Sequence, residues 1–379
     1  MTVVPRLTDG VVTLRAPQES DVPGSVEQVA DRLTRAWTEV PRDYGSEHAR
    51  WFLLEHVPAG WEQDREWCFV VEAPDDAAGD GRPRFAGTVS LVLQRGARAE
   101  VAYGAHPWAR GRGILERALR LLLTWGFEEQ GLASVLWLSR RGNWPSRRLA
   151  WKVGFSCDGL LEGWLPTGAD GPLAETWVGT LVRGTDLAPR TPWPDVPRIT
   201  GERVVLRRTR GDDADRVLEA CTDQRTAYWL GQLPQPYTPE LAREFVSRRE
   251  EDVADGRAVH WVLADPSTDA LLGVVSLMWR GPGLDCEVGY WAHPDARGRG
   301  AMTEAVALAV RHAVVPVEDG GLGLPRLTAY AAVDNAASRH VLEANGFTRT
   351  GVGRSEANVR DGRHDMAGYD LLAAEVRTR

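Results

Sequence analysis

Residues 100–113 read EVAYGAHPWARGRG, and residues 287–300 read EVGYWAHPDARGRG. Some way after each block comes a second shared pattern, Asn-x-x-Ser followed by Gly-Phe, which begins at Asn143 in the first copy and at Asn335 in the second. Two long matches in the same order and at similar spacing indicate that this chain of 379 residues contains one domain twice.

The two copies divide the chain into nearly equal halves. Residues 185–198 (TDLAPRTPWPDVPR) carry four prolines and no apolar period, which is typical of a semi-rigid linker. We therefore predict an N-terminal domain over 1–184 and a C-terminal domain over 199–379. The first copy also carries extra residues at 74–84 (PDDAAGDGRPR), which predict a polar hairpin or loop.

Composition limits the classes of function. The net charge of −8 argues against nucleic acid as a partner, because phosphate backbones are bound by basic surfaces. No apolar run of eighteen residues is present and the first residues do not resemble a signal peptide, so we expect a cytoplasmic protein without a membrane partner. The four cysteines are scattered without a C-x-x-C pair, which favours buried thiols, and no metal-binding pattern is visible.

The periodicity of the second half predicts a mixed order of strands and helices. Strands are predicted at 203–209, 260–265, 271–279, 285–293 and 326–332, with two more at the end of the chain. Helices are predicted at 212–223, 238–252, 301–315 and 336–345, with Thr238 as a cap and Pro239 at the first helical position. The first half repeats this order, and in both halves the arginine-glycine loop joins a strand directly to a helix.

That loop has the composition of a phosphate-binding turn. Its glycines let the backbone bend so that N–H groups point toward one place, and the helix that follows adds the positive end of its dipole. A diphosphate placed there would receive charge-assisted hydrogen bonds, and the two loop arginines, Arg297 and Arg299 in the second copy, would add positive charge.

The order strand, R-G-R-G loop, helix, strand and N-x-x-S-x7-G-F resembles the GNAT superfamily of acetyl-CoA-dependent N-acetyltransferases, and within it the RimJ/RimL type. The resemblance covers both halves almost end to end. It implies an α/β fold of two tandem GNAT domains. Each would be a twisted, mainly antiparallel sheet of about seven strands flanked by helices and splayed between the fourth and fifth strands.

The resemblance also implies where acetyl-CoA binds as co-substrate. Its pantetheine arm would lie in the split beside the end of the fourth strand, its diphosphate would lie on the arginine-glycine loop, and the asparagine would contact the arm or cap a helix. The implied residues of the second half are Trp291, Ala292, His293, Arg297, Gly298, Arg299, Gly300, Ala301, Met302 and Asn335. Those of the first half are Ala105, His106, Arg110, Gly111, Arg112, Gly113, Ile114, Leu115 and Asn143.

One position departs from the family pattern R/Q-x-x-G-x-G/A. Its last residue is Leu115 in the first copy and Met302 in the second. These larger side chains either crowd the cofactor or point away into the core, and the sequence leaves both alternatives open.

Acetyl transfer to an amine needs a base for the ammonium and a donor for the departing thiolate. Glu287 and Glu100 occupy the place of the family's carboxylate base on the fourth strand. The family's frequent acid, a tyrosine, is replaced by Ala150 and Leu342. The resemblance to RimL-type enzymes implies that a serine takes that role instead, Ser338 in the second half and Ser146 in the first.

Several readings of the function remain open at this stage. The acidic balance favours a small-molecule amine as acceptor, such as an antibiotic or a metabolite. The alternative is the N-terminus of a protein or peptide, as in RimJ/RimL enzymes, and a third reading is a non-catalytic acyl-CoA sensor. The better motif match predicts that the second half carries most of the catalysis. The chain would act as a monomer, a pseudo-dimer of domains, or as a homodimer.

Overall fold

A computed structural model describes residues 3–75, 82–281 and 286–376. The chain forms two compact units, which we call unit 1 (Met1–Arg190) and unit 2 (Thr191–Arg379). The division between them falls within the proline-rich segment 185–198. The centre of the polar insertion of the first copy, residues 76–81, lies outside the described residues.

Each unit is built on one sheet of eight strands. Unit 1 contains β1 (Leu7–Thr8), β2 (Thr13–Arg15), β3 (Glu66–Pro74), β4 (Pro83–Gln94), β5 (Arg98–Ala105), β6 (Ser134–Arg140), β7 (Gly159–Pro166) and β8 (Leu173–Val182). Unit 2 contains β9 (Ile199–Thr200), β10 (Val205–Arg207), β11 (Ala258–Ala264), β12 (Leu271–Trp279), β13 (Cys286–Ala292), β14 (Arg326–Ala332), β15 (Thr348–Val359) and β16 (Gly362–Leu372).

The strand order is the same in both sheets. It runs β1-β2-β3-β4-β5-β6-β8-β7 in unit 1 and β9-β10-β11-β12-β13-β14-β16-β15 in unit 2. All neighbours are antiparallel except β5 with β6 and β13 with β14. The predicted mixed sheet is confirmed. The eighth strand is the two-residue edge strand, β1 or β9, which is too short to give a recognisable alternation in the sequence.

Helices cover the sheets. Unit 1 has α1 (Val22–Ala30), α2 (Arg32–Trp37), α3 (Ser46–Arg50), α4 (Val57–Glu62), α5 (Ile114–Glu128) and α6 (Trp144–Lys152). Unit 2 has α7 (Ala214–Thr222), α8 (Gln224–Trp229), α9 (Pro239–Ala254), α10 (Ala301–Val314) and α11 (Ala336–Ala344). The predicted cap is confirmed, since Thr238 accepts a hydrogen bond from the N–H of Leu241. The short helix α8 was not predicted from the sequence.

The parallel strand pairs separate soon after they begin. β5 and β6 pair from Arg98 with Ser134 to Val101 with Trp137, and the described pairing of β13 with β14 ends at Glu287 with Thr328. Beyond these points β5 and β13 remain paired only on their other side. The predicted split between the fourth and fifth main strands is therefore present in both units.

The helical segment of residues 46–62 in unit 1 is one residue longer than α9 in unit 2. Between α3 and α4 the chain makes a π-helical turn, Trp51–His56, so residues 46–62 form one continuous helical segment. A π turn accommodates one additional residue within a helix. In the strands that follow, Phe69 of unit 1 and Trp261 of unit 2 occupy equivalent positions. Phe69 pairs with Val89, and Trp261 pairs with Val275.

The repeated Leu-Arg pair at the start of each unit has a structural role. Leu14 and Leu206 are fully buried, and each following arginine makes a bidentate ion pair with a buried aspartate. Arg207 donates to both carboxylate oxygens of Asp213 at 2.9 and 2.8 Å. The equivalent pair in unit 1 joins Arg15 to Asp21 at 2.8 Å. A buried charge of this kind depends on its partner, so these pairs hold β2 to the start of α1 and β10 to the start of α7.

All four cysteines are free thiols, and all but Cys157 are buried. Burial raises the pKa of the Cys221 thiol to about 11 and that of Cys286 to about 12, so both remain protonated near neutral pH. None of the helices in the described residues has the length and apolar character needed to cross a membrane.

Candidate active site

The arginine-glycine loop has the same backbone conformation in both units. Gly111 and Gly113 have φ of +72° and +73°, and Gly298 and Gly300 both have φ of +71°, a region that L side chains rarely adopt. Within the described residues, no atom beyond the glycine and its immediate chain neighbours lies within 4 Å of the place that a Cβ would take at any of these four glycines. The loop is therefore bent as the sequence predicts and faces open space.

The helices α5 and α10 begin directly after this loop. Among the described residues no side chain caps either helix, and the N-cap position is the left-handed glycine itself. The first N–H groups of a helix have no partners within the helix, and the dipole places partial positive charge beside them. Open space, unpaired donors and positive charge together fit the diphosphate of acetyl-CoA.

The first arginine of the loop in unit 2 is engaged in a structural contact. Arg297 donates from Nη2 to the carboxylate of Asp223 and, at 2.8 Å, to the hydroxyl of Thr226. Asp223 also caps α8 by accepting from the N–H of Thr226 at 2.9 Å. The arginine hydrogen bond lowers the pKa of Asp223 to about 2. Arg297 thus attaches the loop to the start of α8.

Unit 1 repeats this arrangement. Arg110 donates from Nη2 to Asp31 at 2.7 Å and to Thr34 at 2.8 Å, and Asp31 caps α2. The same nitrogen lies 3.4 Å from the carbonyl oxygen of Ala105 at the end of β5. The first arginine of each copy is predicted from the sequence to contact the diphosphate, whereas the structure places its guanidinium against an aspartate and a threonine.

The second arginine differs between the units. Arg112 donates to Asp75 at 3.1 Å and lies over the ring of Trp108, with 5.6 Å between the guanidinium carbon and the ring centroid. Arg299 is exposed and forms no ion pair within the described part of the chain, although its charge helps to lower the pKa of Asp295. Of the two, Arg299 has the more available guanidinium for a phosphate.

The two side chains that depart from the family pattern point into the core. Leu115 and Met302 retain 7% and 8% of their exposure and belong to the main apolar clusters of their units. Their loop neighbours Ile114 and Ala301 are buried in the same clusters. The alternative that they crowd the cofactor is therefore not supported, and all four residues contribute to the loop through their backbone.

At the end of the fourth main strand, backbone groups alternate between the neighbouring strand and the split. The N–H groups of His106 and His293 are bonded to Ala86 and Leu272 on the neighbouring strand. Because successive residues of a strand point their backbone groups to opposite sides, those of Ala105 and Ala292 face the split. Ala105 and Ala292 therefore present backbone groups to the split, where the family resemblance implies a pantetheine contact.

The side chains of the two histidines are held by the following turn and by the first helix of their unit. His106 and His293 are buried, and in each the Nδ1 atom accepts a hydrogen bond from the backbone N–H two residues later, at 3.4 and 3.2 Å. Their Nε2 atoms lie 3.3 Å from Glu27 and 3.2 Å from Glu219. Burial lowers the pKa of both histidines. Their visible role is to fix the turn that leads into the arginine-glycine loop.

The side chain of Trp291 lies on the face of β13 that packs against α9. Its ring makes an edge contact with Phe245 of α9, with 6.1 Å between centroids. The equivalent residue in unit 1 is Gly104, and a Cβ there would lie 2.6 Å from the Gln28 amide nitrogen. The family resemblance implies that Trp291 contacts the cofactor, whereas its side chain packs against α9.

The serines of the second repeated pattern lie at the split and contact a tyrosine of the fourth main strand. The Tyr290 hydroxyl is 3.0 Å from Ser338 Oγ and donates to the Ser338 carbonyl oxygen at 2.9 Å. In unit 1 the Tyr103 hydroxyl is 2.9 Å from Ser146 Oγ and 3.1 Å from the Ser146 carbonyl oxygen. Trp137 adds a third donor there, with Nε1 3.0 Å from the tyrosine oxygen and 3.2 Å from Ser146 Oγ.

The asparagines of that pattern cap the helices that carry these serines. Asn335 Oδ1 accepts from the Ser338 N–H at 3.1 Å, and Asn143 Oδ1 accepts from the Ser146 N–H at 3.4 Å. The capping role that the sequence analysis named as one alternative is therefore present. It fixes the serine backbone at the mouth of the split.

The two candidate base residues have different surroundings. Glu100 is partly buried and has no ion pair in the described part of the chain, and burial together with the charge of Glu39 raises its pKa. Glu287 retains 17% side-chain exposure and forms an ion pair with Arg280. The guanidinium of Arg280 also lies over the ring of Tyr330, 5.5 Å from the centroid.

Ala150 and Leu342, which stand where the family often has its tyrosine acid, are buried in the core. The tyrosines that do reach the split come from the fourth main strand, and burial raises the pKa of Tyr103 and of Tyr290 to about 12. The sequence signal for them is the tyrosine shared by EVAY and EVGY. In residues 3–75, 82–281 and 286–376 no group of three or more His, Cys, Asp or Glu side chains is arranged to hold a metal ion.

Comparisons with known proteins agree with this architecture. The family profile described as an acetyltransferase (GNAT) domain matches twice, at residues 12–156 and 203–348. The putative ribosomal N-acetyltransferase YdaF of Bacillus subtilis is 30% identical over 183 residues, which cover 46% of this chain and 93% of that protein. The probable N-acetyltransferase YjcK of the same organism is 27% identical over 166 residues, covering 42% and 89%.

Among solved structures, the ribosomal-protein-S5-alanine acetyltransferase from Vibrio fischeri is 20% identical, with a TM-score of 0.42. The match covers 48% of this chain and 100% of that one. The two profile matches fall one in each unit, on the strands, loop and helix described above. The chain is an N-acetyltransferase with two tandem domains and belongs to the GNAT family.

Proposed function

We propose that the chain transfers an acetyl group from acetyl-CoA to a primary amine, directly and within a ternary complex. The observation that carries this proposal is the split in each sheet. A carboxylate (Glu100 or Glu287) lies where the strands separate, and a hydroxyl (Ser146 or Ser338) is bonded to the tyrosine beyond that point. The phosphate-binding loop follows at the end of the same strand.

The residues account for the movement of protons. The glutamate accepts a proton from the acceptor ammonium, which leaves a neutral amine able to attack the thioester carbon. A C–N bond forms and the C–S bond breaks, and the serine hydroxyl donates a hydrogen bond to the sulfur as negative charge develops on it. Of the two protons that the ammonium loses, one ends on the thiol and the other is released to solvent.

The diphosphate loop supports acetyl-CoA as the donor in both units. Each loop offers backbone N–H groups and a helix N-terminus, and the buried side chains of Leu115 and Met302 leave its outer surface open. Arg299 would add a cation in unit 2. In unit 1 that cation, Arg112, is shared with Asp75. We therefore expect both units to bind acetyl-CoA.

For the acceptor we favour a small-molecule amine, because the acidic chain attracts cations and Glu100 lies near a second carboxylate, Glu39. A second candidate is the N-terminus of a protein or peptide. It is favoured by the similarity to the Bacillus subtilis protein YdaF, a putative ribosomal N-acetyltransferase. The two candidates differ in how much of the acceptor must be recognised.

The deciding experiment measures CoA release from acetyl-CoA with a panel of small amines and of peptides with free N-termini. Acceptor-dependent release with small amines supports our first choice, and release with peptides alone supports the second. The control is the double variant Glu100→Gln/Glu287→Gln, which should abolish release while still binding acetyl-CoA by calorimetry. Tight binding with no release on any acceptor would contradict the proposal and favour an acyl-CoA sensor.

A further inference from the structure

Unit 1 contains a polar cluster at its split that unit 2 has only in part. Its members are the tyrosine of β5, the serine of α6 and the indole of Trp137 on β6. Trp137 retains 1% of its exposure, and it stands at the last residue pair before the strands separate. In unit 2 the sheet register places Ala329 at the position of Trp137, so the described structure has only the tyrosine–serine contact there.

The indole limits where the serine proton can go. An indole N–H can only donate, and it lies within reach of both the Tyr103 oxygen, at 3.0 Å, and Ser146 Oγ, at 3.2 Å. The Tyr103 hydroxyl has one proton, and the Ser146 carbonyl oxygen at 3.1 Å can only accept it. The indole therefore competes with the serine O–H for the tyrosine oxygen and also occupies an acceptor site on the serine itself.

In the described residues of unit 2, no indole competes for the tyrosine oxygen. The Tyr290 proton goes to the Ser338 carbonyl oxygen, and the Ser338 O–H is free to turn back and donate to the tyrosine oxygen 3.0 Å away. A serine proton used in this way points along the hydroxyl pair and is withdrawn from the split. Reorienting it costs part of the stabilisation that it could give to a negative charge, whereas a donor already oriented costs nothing at that moment.

We propose that Trp137 is a positioning residue that, by donating to the Tyr103 oxygen and to Ser146 Oγ, keeps the Ser146 hydroxyl available as a hydrogen-bond donor toward the split of unit 1, so that this unit stabilises the CoA thiolate better than unit 2. The proposal rests on the proposed function, since the thiolate is the product of acetyl transfer. It also predicts how readily the thiol of bound CoA ionises, and this can be measured without any turnover.

The experiment titrates the thiol of bound CoA by its ultraviolet thiolate absorbance in the full chain. Trp137→Phe keeps an aromatic ring and removes the N–H. We expect it to raise the pH at which the thiol in unit 1 ionises by about one unit, which corresponds to about a tenfold weaker thiolate, because the serine proton then turns to Tyr103. Unit 2 is the same in every variant, so differences between the titrations come from unit 1.

Two further variants separate positioning from packing. Trp125→Phe, at a buried tryptophan in the core of the same unit, should reduce stability without changing the thiol titration. Tyr103→Phe leaves the indole bonded to Ser146 and removes the competing acceptor, so it should change the titration by much less than Trp137→Phe. A merely structural role for the cluster would instead make the two split variants similar.

The rate of turnover is a second, independent measurement. With Glu287→Gln and Ser338→Ala present to remove unit 2 activity, Trp137→Phe should lower kcat about tenfold while the Kd for CoA stays within about twofold. An unchanged thiol titration in Trp137→Phe, with a raised one in Ser146→Ala, would overturn the proposal. A shifted titration in a protein that releases no CoA with any acceptor would support it and would instead count against the proposed function.

Discussion

The two units share a scaffold and differ in what touches the reacting groups. The loop glycines, the arginine that attaches the loop to a capped helix, and the tyrosine–serine contact occur in both. Around them, however, the carboxylate of unit 1 lies near another carboxylate, while that of unit 2 has an arginine partner. The indole donor at the split belongs to unit 1 alone in the described residues.

This comparison separates two kinds of repeated residue. Residues that fix backbone geometry recur with their partners, because a change at one of them leaves a buried polar group unsatisfied. Residues that adjust the charge around the site recur without their partners. The more complete family motif predicts unit 2 as the main catalyst, whereas the surroundings of Glu100 and Ser146 favour unit 1. Measurements on matched variants decide which unit is the more active.

The largest effect should come from breaking the buried ion pair that both units share. Arg207→Ala leaves Asp213 buried and unpaired, and should lower the free energy of unfolding of unit 2 by about 3–5 kcal/mol. Arg15→Ala should do the same to unit 1. Thermal unfolding followed by calorimetry should show a different transition affected in each variant.

The control for that prediction is Arg243→Ala, at an exposed arginine paired with Glu240 on the surface of α9. It should change stability by less than about 1 kcal/mol, because exposed pairs contribute little. If both buried-pair variants lowered one common transition equally, the two units would not be separate folding units.

Next in size is the loss of each base. Glu100→Gln and Glu287→Gln should each reduce the turnover of their own unit by about 100-fold or more. We expect the larger loss of total activity from Glu100→Gln. Burial raises the pKa of Glu100 in the folded state, so its ionised form is disfavoured there, and glutamine should not reduce stability at neutral pH. Melting curves check this, and equal losses in total activity would contradict any asymmetry.

Arg280 offers a way to remove part of the difference. Its ion pair with Glu287 competes with an acceptor ammonium for the same carboxylate. In a chain that carries Glu100→Gln, Arg280→Gln should therefore lower the KM for a cationic acceptor by about threefold to tenfold. The matched control is Arg248→Gln, at an arginine paired with Glu244 on α9. A higher KM would mean that Arg280 itself binds the acceptor.

The smallest expected effect concerns pH. The charge of Glu39 contributes to the raised pKa of Glu100, and Glu100 must be ionised to accept a proton. Turnover by unit 1 is therefore lost as the pH falls through that pKa. Glu39→Gln should lower the pKa and move this acidic limb to lower pH by a fraction of a unit, measured with unit 2 inactivated by Glu287→Gln. Glu128→Gln, at an exposed position at the end of α5, should leave it in place.

Much of the fold could be predicted because the same sequence patterns occur in both halves of the chain. The repeated blocks identified the loop and the Asn-x-x-Ser pattern, the family resemblance implied the split, and periodicity predicted most strands and helices. The contacts of Arg297 were missed, although Asp223 and Thr226 repeat the spacing of Asp31 and Thr34. That signal is a spacing of two common residues in a short helix. It has meaning only when the arginine, some 75 residues away in sequence, is known to reach it.

Other features could not be predicted from the patterns that the two copies share. Arg280 and Trp137 each make their contacts in one unit, so the residues that the two copies share give no sign of them. The orientation of Trp291 depends on which face of β13 it occupies, and this follows from the register with β12. Sequence spacing places Trp291 near the end of β13, whereas the direction of its side chain follows from the pleat of the strand.

The π-helical turn at Trp51–His56 has a consequence for how such duplicated genes diverge. One added codon would shift every later residue of a strand to the opposite face of the sheet, and in a tight loop it would change the turn. Within a helix the same codon is absorbed over a single turn, and the strands that follow keep their pairing. Long helices that cover a sheet are thus places where a lineage can gain or lose single residues while its active site stays intact.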